Sequence, residues 1–283
     1  MPTRQTTTSA ARKELGELLR RLRIRRGMTG VQVAEATGID PGTLSRYENG
    51  RRKIELLIVK TLLDLYGADE SAHRAAVAFW EADAKTEARP SWWRRGFTVP
   101  EDFGQYLAEE QEARLIRSVE PHLPPGRLQT EEVAAAVIAG LRPDLSAEAV
   151  TGLVDLRMRR QAETLEADQE ILLGSTVLDL PGLSAGSAIL QLERLLEGSQ
   201  QPGMCIRVLP AGLSYNPALA VPFVLMVPPV GRTSAWVELM DRSIRLPDAA
   251  VERYQAAFSV TASHALSPSA TQDHLAQLIK DRK

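Results

Sequence analysis

Arg46, Arg51, Arg52 and Lys53 crowd a short stretch of chain, interleaved with Thr43, Ser45 and Asn49. Guanidinium, ammonium, hydroxyl and amide groups in one place are donors for phosphate oxygens and for base edges. Arg46 has the fork that donates two bonds to the O6 and N7 atoms of guanine, an arrangement worth ~1–3 kcal/mol of discrimination. Pro41, Gly42, Thr43, Ser45 and Arg46 are the expected exposed face of one short helix and the candidates for base contact. Thr29, Gly30, Gln32, Asn49, Arg51, Arg52 and Lys53 are the candidates for phosphate contact. Pro41 and Gly42 bring no polar side chain, so shape readout is expected to supplement a modest direct readout. Plainer roles stand beside these. Thr29 and Asp40 suit helix caps, Gln32 suits the second half of a capping box, and Leu44 and Tyr47 suit a core. Arg51, Arg52 and Lys53 also suit a solvated charge run.

Three helices must position those groups. From Ala10 to Arg26 the apolar residues Leu15, Leu18, Leu19 and Leu22 recur at helical spacing, and Gly27 ends the run. Thr29 with Gln32 reads as a capping box opening a second helix, which Gly38 closes after about two turns. Asp40 caps a third helix, and Pro41 occupies its first position, where a missing N–H is harmless. That helix ends at Gly50. Two short helices joined by a tight turn must cross steeply, so small residues such as Ala34 and Gly38 are needed between them. Further helices are expected near 54–66 and 70–88.

The stretch from Leu15 to about Tyr66 resembles a phage-repressor (XRE) type of helix-turn-helix, with the pattern LRxxRGMTxxQVAxxTGIxxxTLSRYENGRR. The resemblance implies that the third helix enters a major groove. It also implies that Arg23 and Glu48 form an internal ion pair, so that Arg23 is structural.

The charge distribution agrees. Residues 1–60 carry 13 Lys and Arg against 6 Asp and Glu, although the whole chain has a net charge of −2. A basic head on an acidic body points the head at a polyanion and the body away from it. The organisation expected is a disordered tail over 1–9, a DNA-binding head over 10–70, a connecting helix and linker over 71–102, and a regulatory, sensing or dimerisation domain over 103–283. Trp92, Trp93 and Phe97 are expected to anchor the linker. A helix is expected from about Phe103 to Val119, then others near 130–140, 146–166, 187–198, 248–264 and 269–281. EILLGSTVL, MCIRVLP, PFVLMVP and SAWVELM are short β-rich runs bounded by Gly and Pro. The fold class is therefore a mainly α head of five helices plus an α+β body with a small sheet.

Residues 85–245 are similar to the C-terminal domain of WhiJ-like actinobacterial regulators. The matching pieces are WW, LAEEQEARLIRSVEPHLPPGRLQTEEVA, RMRRQAETLE, QLERLLE, MCIRVLPAG, PFVLMVPP and AWVEL, in that order. The resemblance implies a regulatory module, often associated with a small acidic partner protein. Arg127 and Val133 depart from the family pattern, as does the ILLGSTVLDLPGLSAG segment. Arg127, Gln129, Arg157, Arg159, Arg160 and Gln161 form a polar, cationic set. They read either as a site for an anionic ligand or as surface charge bridged to nearby glutamates.

Enzyme chemistry finds little support. Glu109, Glu110, Glu112, Glu131 and Glu132 sit at solvent-facing helical spacings. No Gly-rich phosphate loop or G-x-S-x-G elbow occurs. His73, His122, His264 and His274 are scattered, so neither a metal nor a cofactor is expected. Cys205, between Met204 and Ile206, suits a small buried hydrophobe. No apolar run is long enough for a membrane span, and a cytoplasmic location is expected. The sequence thus predicts a sequence-specific regulator that binds double-stranded DNA as a homodimer. Its second domain would sense a ligand, such as a small-molecule effector, or bind a regulatory partner. The alternative is an antitoxin-like or partner-controlled protein in which DNA binding is secondary.

Overall fold

The computed structural model describes residues 9–88, 91–94, 96–97, 99–180, 182–212, 219–239 and 242–283. It divides into two compact units, Met1–Ser91 with Pro228–Arg232, and Trp92–Val227 with Thr233–Lys283. Among the described residues there are eleven α-helices and one six-stranded sheet, the helical head and α+β body that the sequence predicts.

The first unit comprises α1 (Ala10–Arg25), α2 (Gly30–Thr37), α3 (Pro41–Glu48), α4 (Leu56–Tyr66) and α5 (Glu70–Ala88). Leu15, Leu19 and Leu22 of α1 meet Val33, Leu44, Tyr47, Val59, Leu62, Leu63 and Ala76 in one core. Each fully buried leucine contributes about 1.5–3 kcal/mol to holding these short helices, which could not persist alone. The α5 helix is fastened through its second half. Trp80 Nε1 donates to the Ile54 carbonyl at 2.9 Å, and Asp83 accepts from Ser9 Oγ at 2.6 Å and from Arg12 Nε at 2.9 Å. Residues 1–8 of the expected disordered tail lie outside the described residues, whereas Ser9 is buried and caps α1.

The second unit opens with α6 (Glu101–Glu112), β1 (Leu115–Glu120), α7 (Glu131–Leu141) and α8 (Ala147–Ala162). It continues through β2 (Asp168–Gly174), α9 (Ala185–Ser199), β3 (Met204–Leu209), β4 (Phe223–Val227), β5 (Ser234–Glu238) and β6 (Ser243–Arg245). It closes with α10 (Asp248–Ser263) and α11 (Pro268–Arg282). The strand order is β3-β2-β1-β4-β5-β6, with β1, β2 and β3 parallel and the β4–β6 side antiparallel. Ile116 packs with Tyr106 and Leu107 of α6 and Leu156 of α8. On the same face, Ile171 and Val208 pack against Leu192 and Leu195 of α9 and Leu275 and Ile279 of α11. The opposite face, through Val119, Leu172 and Leu225, is covered by Val251 and Phe258 of α10. The outer edge of β3 is bonded as well. Val208 accepts from Leu266 N at 2.9 Å and donates to Thr271 Oγ1 at 3.1 Å, and Arg207 donates to the Ala265 and Leu266 carbonyls.

Two expectations are corrected. The helix predicted from Phe103 to Val119 ends at Glu112, and its last part is β1. Helix formers run across that boundary, but β1 is flanked by partners on both sides, and a central strand satisfies its backbone better than an isolated helical turn. The run EILLGSTVL is a strand only to Gly174, after which Ser175–Leu178 turns into a 3-10 helix. A Cβ on Gly174 would lie 2.3 Å from the Pro121 carbonyl oxygen, so the strand ends where only glycine fits. The three-residue β6 was not anticipated, because three residues carry too little pattern. Trp92 and Trp93 are buried in the second unit's core, with Phe97 packed beside them; parts of the expected linker lie outside the described residues.

Candidate nucleic-acid interface

The start of α2 and the turn between α2 and α3 are built from caps. Thr29 Oγ1 accepts from Gln32 N at 3.3 Å, and Gln32 Oε1 accepts from Thr29 N at 2.8 Å, completing a capping box. Gly38 stops α2 in the left-handed region at φ 74°, and Asp40 Oδ1 caps α3 by accepting from Thr43 N at 2.9 Å. Two glycines set the spacing. A Cβ on Gly30 would meet Pro41 Cβ at 3.6 Å, ordinary contact across the turn. A Cβ on Gly16 would lie 2.6 Å from the carbonyl oxygens of both Tyr47 and Glu48, so α1 and the end of α3 approach as closely as backbones allow. The sequence reading did not single out Gly16. A glycine within a leucine-periodic helix was its only signal.

Arg23 and Glu48 lock this crossing. Arg23 Nε donates to Glu48 Oε1 at 2.5 Å, Nη2 to Oε2 at 2.9 Å, and Nη1 to the Met28 carbonyl at 2.9 Å. The bond to Glu48 raises the Arg23 pKa against a smaller opposing effect of burial. The Tyr66 hydroxyl lies in the field of this pair, and burial foremost pushes its pKa up to about 12. Among the described residues it is the one buried side-chain polar atom without a hydrogen-bond partner.

On the outer face of α3, Pro41, Gly42, Ser45 and Arg46 are exposed, together with Asn49, Arg51, Arg52 and Lys53 just beyond. Thr29 and Gln32 are exposed at the start of α2, and Gly30 is half-buried. Thr43 is the exception to the expected exposed face, at 8% exposure. Its hydroxyl accepts from Arg46 Nη2 at 2.7 Å and from Arg52 Nη1 at 3.4 Å. Hydrogen bonds from the Thr43 side chain and then its backbone hold the Asp40 carboxyl below its ordinary range, and the Arg46 charge adds to this. Thr43 therefore lies beneath the two guanidinium groups and links them to the cap. Arg52 also lies over the Tyr47 ring, 5.8 Å from its centroid. Asn49 is turned inward along α3, donating to the Ser45 carbonyl at 2.7 Å.

The cationic set of the second unit is an interior network, contrary to its reading as surface charge. Arg160, at 8% exposure, donates from Nε and Nη2 to both oxygens of Glu110 at 2.9 and 2.5 Å, with Tyr106 and Phe103 rings beside it. Arg127 reaches Glu110 at 3.4 Å and the Glu163 carbonyl at 3.0 Å. Burial would raise the Glu110 carboxyl, but Arg160 and Arg127 together hold it below the ordinary range. Gln161 Nε2 donates to the Gly126 and Gln129 carbonyls, and Gln129 Nε2 to the Pro124 carbonyl, so these amides pin the segment before α7. Arg157 Nη1 donates to Gln129 Oε1 at 2.6 Å. Arg159 stands apart on the exposed face of α8, paired with Glu163. Glu110 reads from its helical spacing as solvent-facing, and that spacing does not reveal its burial against Arg160 and Arg127.

Among the described residues no helix is long and apolar enough to cross a membrane, and no cluster of His, Cys, Asp and Glu could hold a metal ion. No curated protein and no solved structure matches the chain. Residues 14–76 match a family described as a helix-turn-helix domain; the match runs from within α1 into the start of α5 and marks a DNA-binding regulator. Residues 103–277 match a second family, well over half of the chain and nearly all of the second unit, and the protein accordingly belongs to the family described as "Domain of unknown function (DUF5753)".

Proposed function

We propose that the protein is a sequence-specific transcriptional regulator of the XRE type that seats α3 in the DNA major groove. The second domain, 103–283, which resembles that of WhiJ-like regulators, would change DNA binding in response to a small-molecule effector. The head would be 10–70, joined by 71–102. The observation that carries this reading is the outer edge of α3. Arg46 and Arg52 stand there together over Thr43, on a helix whose depth is fixed by Gly16 and by the Arg23–Glu48 pair. Pro41, Gly42, Ser45 and Arg46 would face bases. Thr29, Gly30, Gln32, Arg51, Arg52 and Lys53 would face phosphates, with Asn49 serving chiefly as part of the α3 C-terminus. One such head covers about half of an ordinary operator. A homodimer with half-sites about 34 Å apart would supply the other half.

The test is binding to genomic fragments and then to the selected operator, by fluorescence anisotropy across a salt series. Arg46→Ala should cost ~1–3 kcal/mol on the operator and relax specificity, whereas Arg52→Ala should weaken all sequences alike and flatten the salt slope by about 0.9. A chain that binds no duplex at low salt, or an Arg46 variant that keeps its full preference for the operator, rules out this reading of α3.

The reading with a small acidic partner protein is the weaker one. A sensing role is favoured by the charged interior of the second unit, where Arg127 and Arg160 meet the carboxylate of Glu110 and Arg157, beside Arg160, bonds the amide of Gln129.

A further inference from the structure

The α1 helix is gripped on two sides. On one, Gly16 brings it against α3, where a Cβ would stand only 2.6 Å from the Tyr47 and Glu48 carbonyl oxygens, and Arg23 pairs with Glu48. On another lies a segment distant in sequence. Pro228–Arg232 join β4 to β5, yet these five residues belong to the first unit, while both strands belong to the second. Arg232 Nη2 donates to Glu17 Oε2 at 3.1 Å, and Arg232 Nε stands 3.5 Å from Glu14 Oε1. Gly231 lies against the same place. A Cβ there would come within 3.2 Å of Glu14 Cγ and 3.8 Å of the Phe79 ring of α5, and its φ of 110° is one that side chains rarely adopt. Burial foremost raises the Glu14 carboxyl, and the Arg232 charge leads the influences that oppose it. This seat on α1 is thus packed as well as ionic, unlike the exposed pair of Arg74 with Glu70 on α5.

The two grips are mechanically linked. Glu14 and Glu17 are three residues apart and share one face of α1. At 3.6 residues per turn, Glu14 lies about 200° round the helix from Gly16. A displacement at Glu14 is therefore carried across α1 to the backbone of α3, and the contact at Gly16 has no slack to absorb it. The turn that presses on Glu14 is itself stiff, because Pro228 and Pro229 fix two of its φ angles. Its ends are the ends of β4 and β5, which pair with each other, and β4 pairs with β1 as well. A change in those strands reaches the turn through the chain.

We propose that the 228–232 turn is a control point for DNA binding: seated on Glu14 and Glu17 it fixes α1, and through Gly16 the depth of α3, and when it is lifted α3 loses its recognition pose. Whatever alters β4 and β5 would then alter how α3 reads DNA. The inference rests on the proposed role of α3 and adds to it the place at which that role is governed.

The test is fluorescence anisotropy of the full chain on its operator and on an unrelated duplex at one salt concentration, with hydrogen–deuterium exchange of the free protein beside it. Arg232→Ala breaks the ionic part of the seat, and so does Glu14→Gln combined with Glu17→Gln. Their effects on charge are opposite, since the first makes the head less positive and the second more so. Charge alone would weaken binding in the first and strengthen it in the second, on both duplexes alike. Loss of the seat should instead lower the ratio of operator to unrelated affinity roughly threefold or more in both. The triple variant should lose no more than the worse of the two, because all three changes break one contact. The α3 amides should exchange faster in each. Arg74→Ala, which takes one exposed charge from the same unit, should leave the ratio unchanged. Should a variant lose its circular-dichroism spectrum, Arg232→Gln or Glu17→Gln alone takes its place. The proposal is overturned if either variant keeps the wild-type ratio, if the two shift affinity in opposite directions, or if α3 exchanges at the wild-type rate. A chain that binds no duplex at low salt loses the reading of α3 and this proposal with it. A chain that binds its operator, with variants that behave as the wild type does, loses this proposal alone.

Discussion

Thr43 illustrates how a buried hydroxyl can order the arginines around it. Its hydroxyl accepts bonds from Arg46 and Arg52 and, through Asp40, ties both to the α3 cap. An arginine held on the helix surface has lost part of its rotamer freedom before any complex forms, which lowers the ordering cost of binding. Thr43→Val keeps the shape and removes the acceptor. It should narrow the ratio of operator to non-specific affinity several-fold while changing the melting temperature little, and Thr43→Ser should restore the ratio. Equal ratios for all three in anisotropy titrations would return Thr43 to a plain packing role. Position and type made Arg46 legible in the sequence. The burial of Thr43 was not, because it follows from where two long side chains lie. Glu120 allows a second test at this scale. Its carboxyl is held protonated to about pH 8 by burial and by Glu238, while Ser118 and Arg160 pull it the other way. In the unfolded chain the same group titrates near 4.3. The folded state therefore holds the extra proton across that interval. The associated stability is complete below about pH 4.3 and lost as the pH climbs through about 8. Relative to wild type, Glu120→Gln should gain melting temperature at pH 9 compared with pH 5. An identical difference at the two pH values would show that Glu120 titrates normally.

At the scale of elements, the first unit was readable because its signals are local. The Thr29–Gln32 capping box, the Asp40–Pro41 start and the glycine stops each act within a few residues. The boundary between α6 and β1 was hidden for the opposite reason. Glu112 and Leu115 share one charged, helix-forming composition, and only pairing with β2 and β4, distant in sequence, makes Leu115–Glu120 a strand. Interior charge escaped for the same reason, since helical spacing at Glu110 and Arg160 does not reveal which face a sheet will cover. Gly16 belongs to this scale. Any side chain there must push α1 away from the Tyr47 and Glu48 carbonyls, which otherwise stand 2.6 Å from its first carbon. Gly16→Ala should destabilise the head by ~1–3 kcal/mol, the ordinary cost of overpacking, and should weaken DNA binding by tilting α3. A melting temperature unchanged by that substitution would mean that α1 and α3 can separate freely.

For the whole molecule, a helix-turn-helix unit is joined in one chain to a unit of the DUF5753 family, and the charge follows the division, with a basic head and an acidic remainder. The proposed homodimer should appear in light scattering as twice the 31.1 kDa chain at micromolar concentration, and a single-chain mass would remove it. How two copies could meet is constrained by the bonded margin of β3. Val208 spends both its backbone groups on Leu266 and Thr271, and the far margin of the sheet is the three-residue β6. A sheet sealed on one flank and stunted on the other offers no template for strand-by-strand growth, which shields the chain from edge-driven aggregation. A union of two copies through side chains, not through paired strands, would leave a proposed effector leverage that a continuous backbone ladder would deny it.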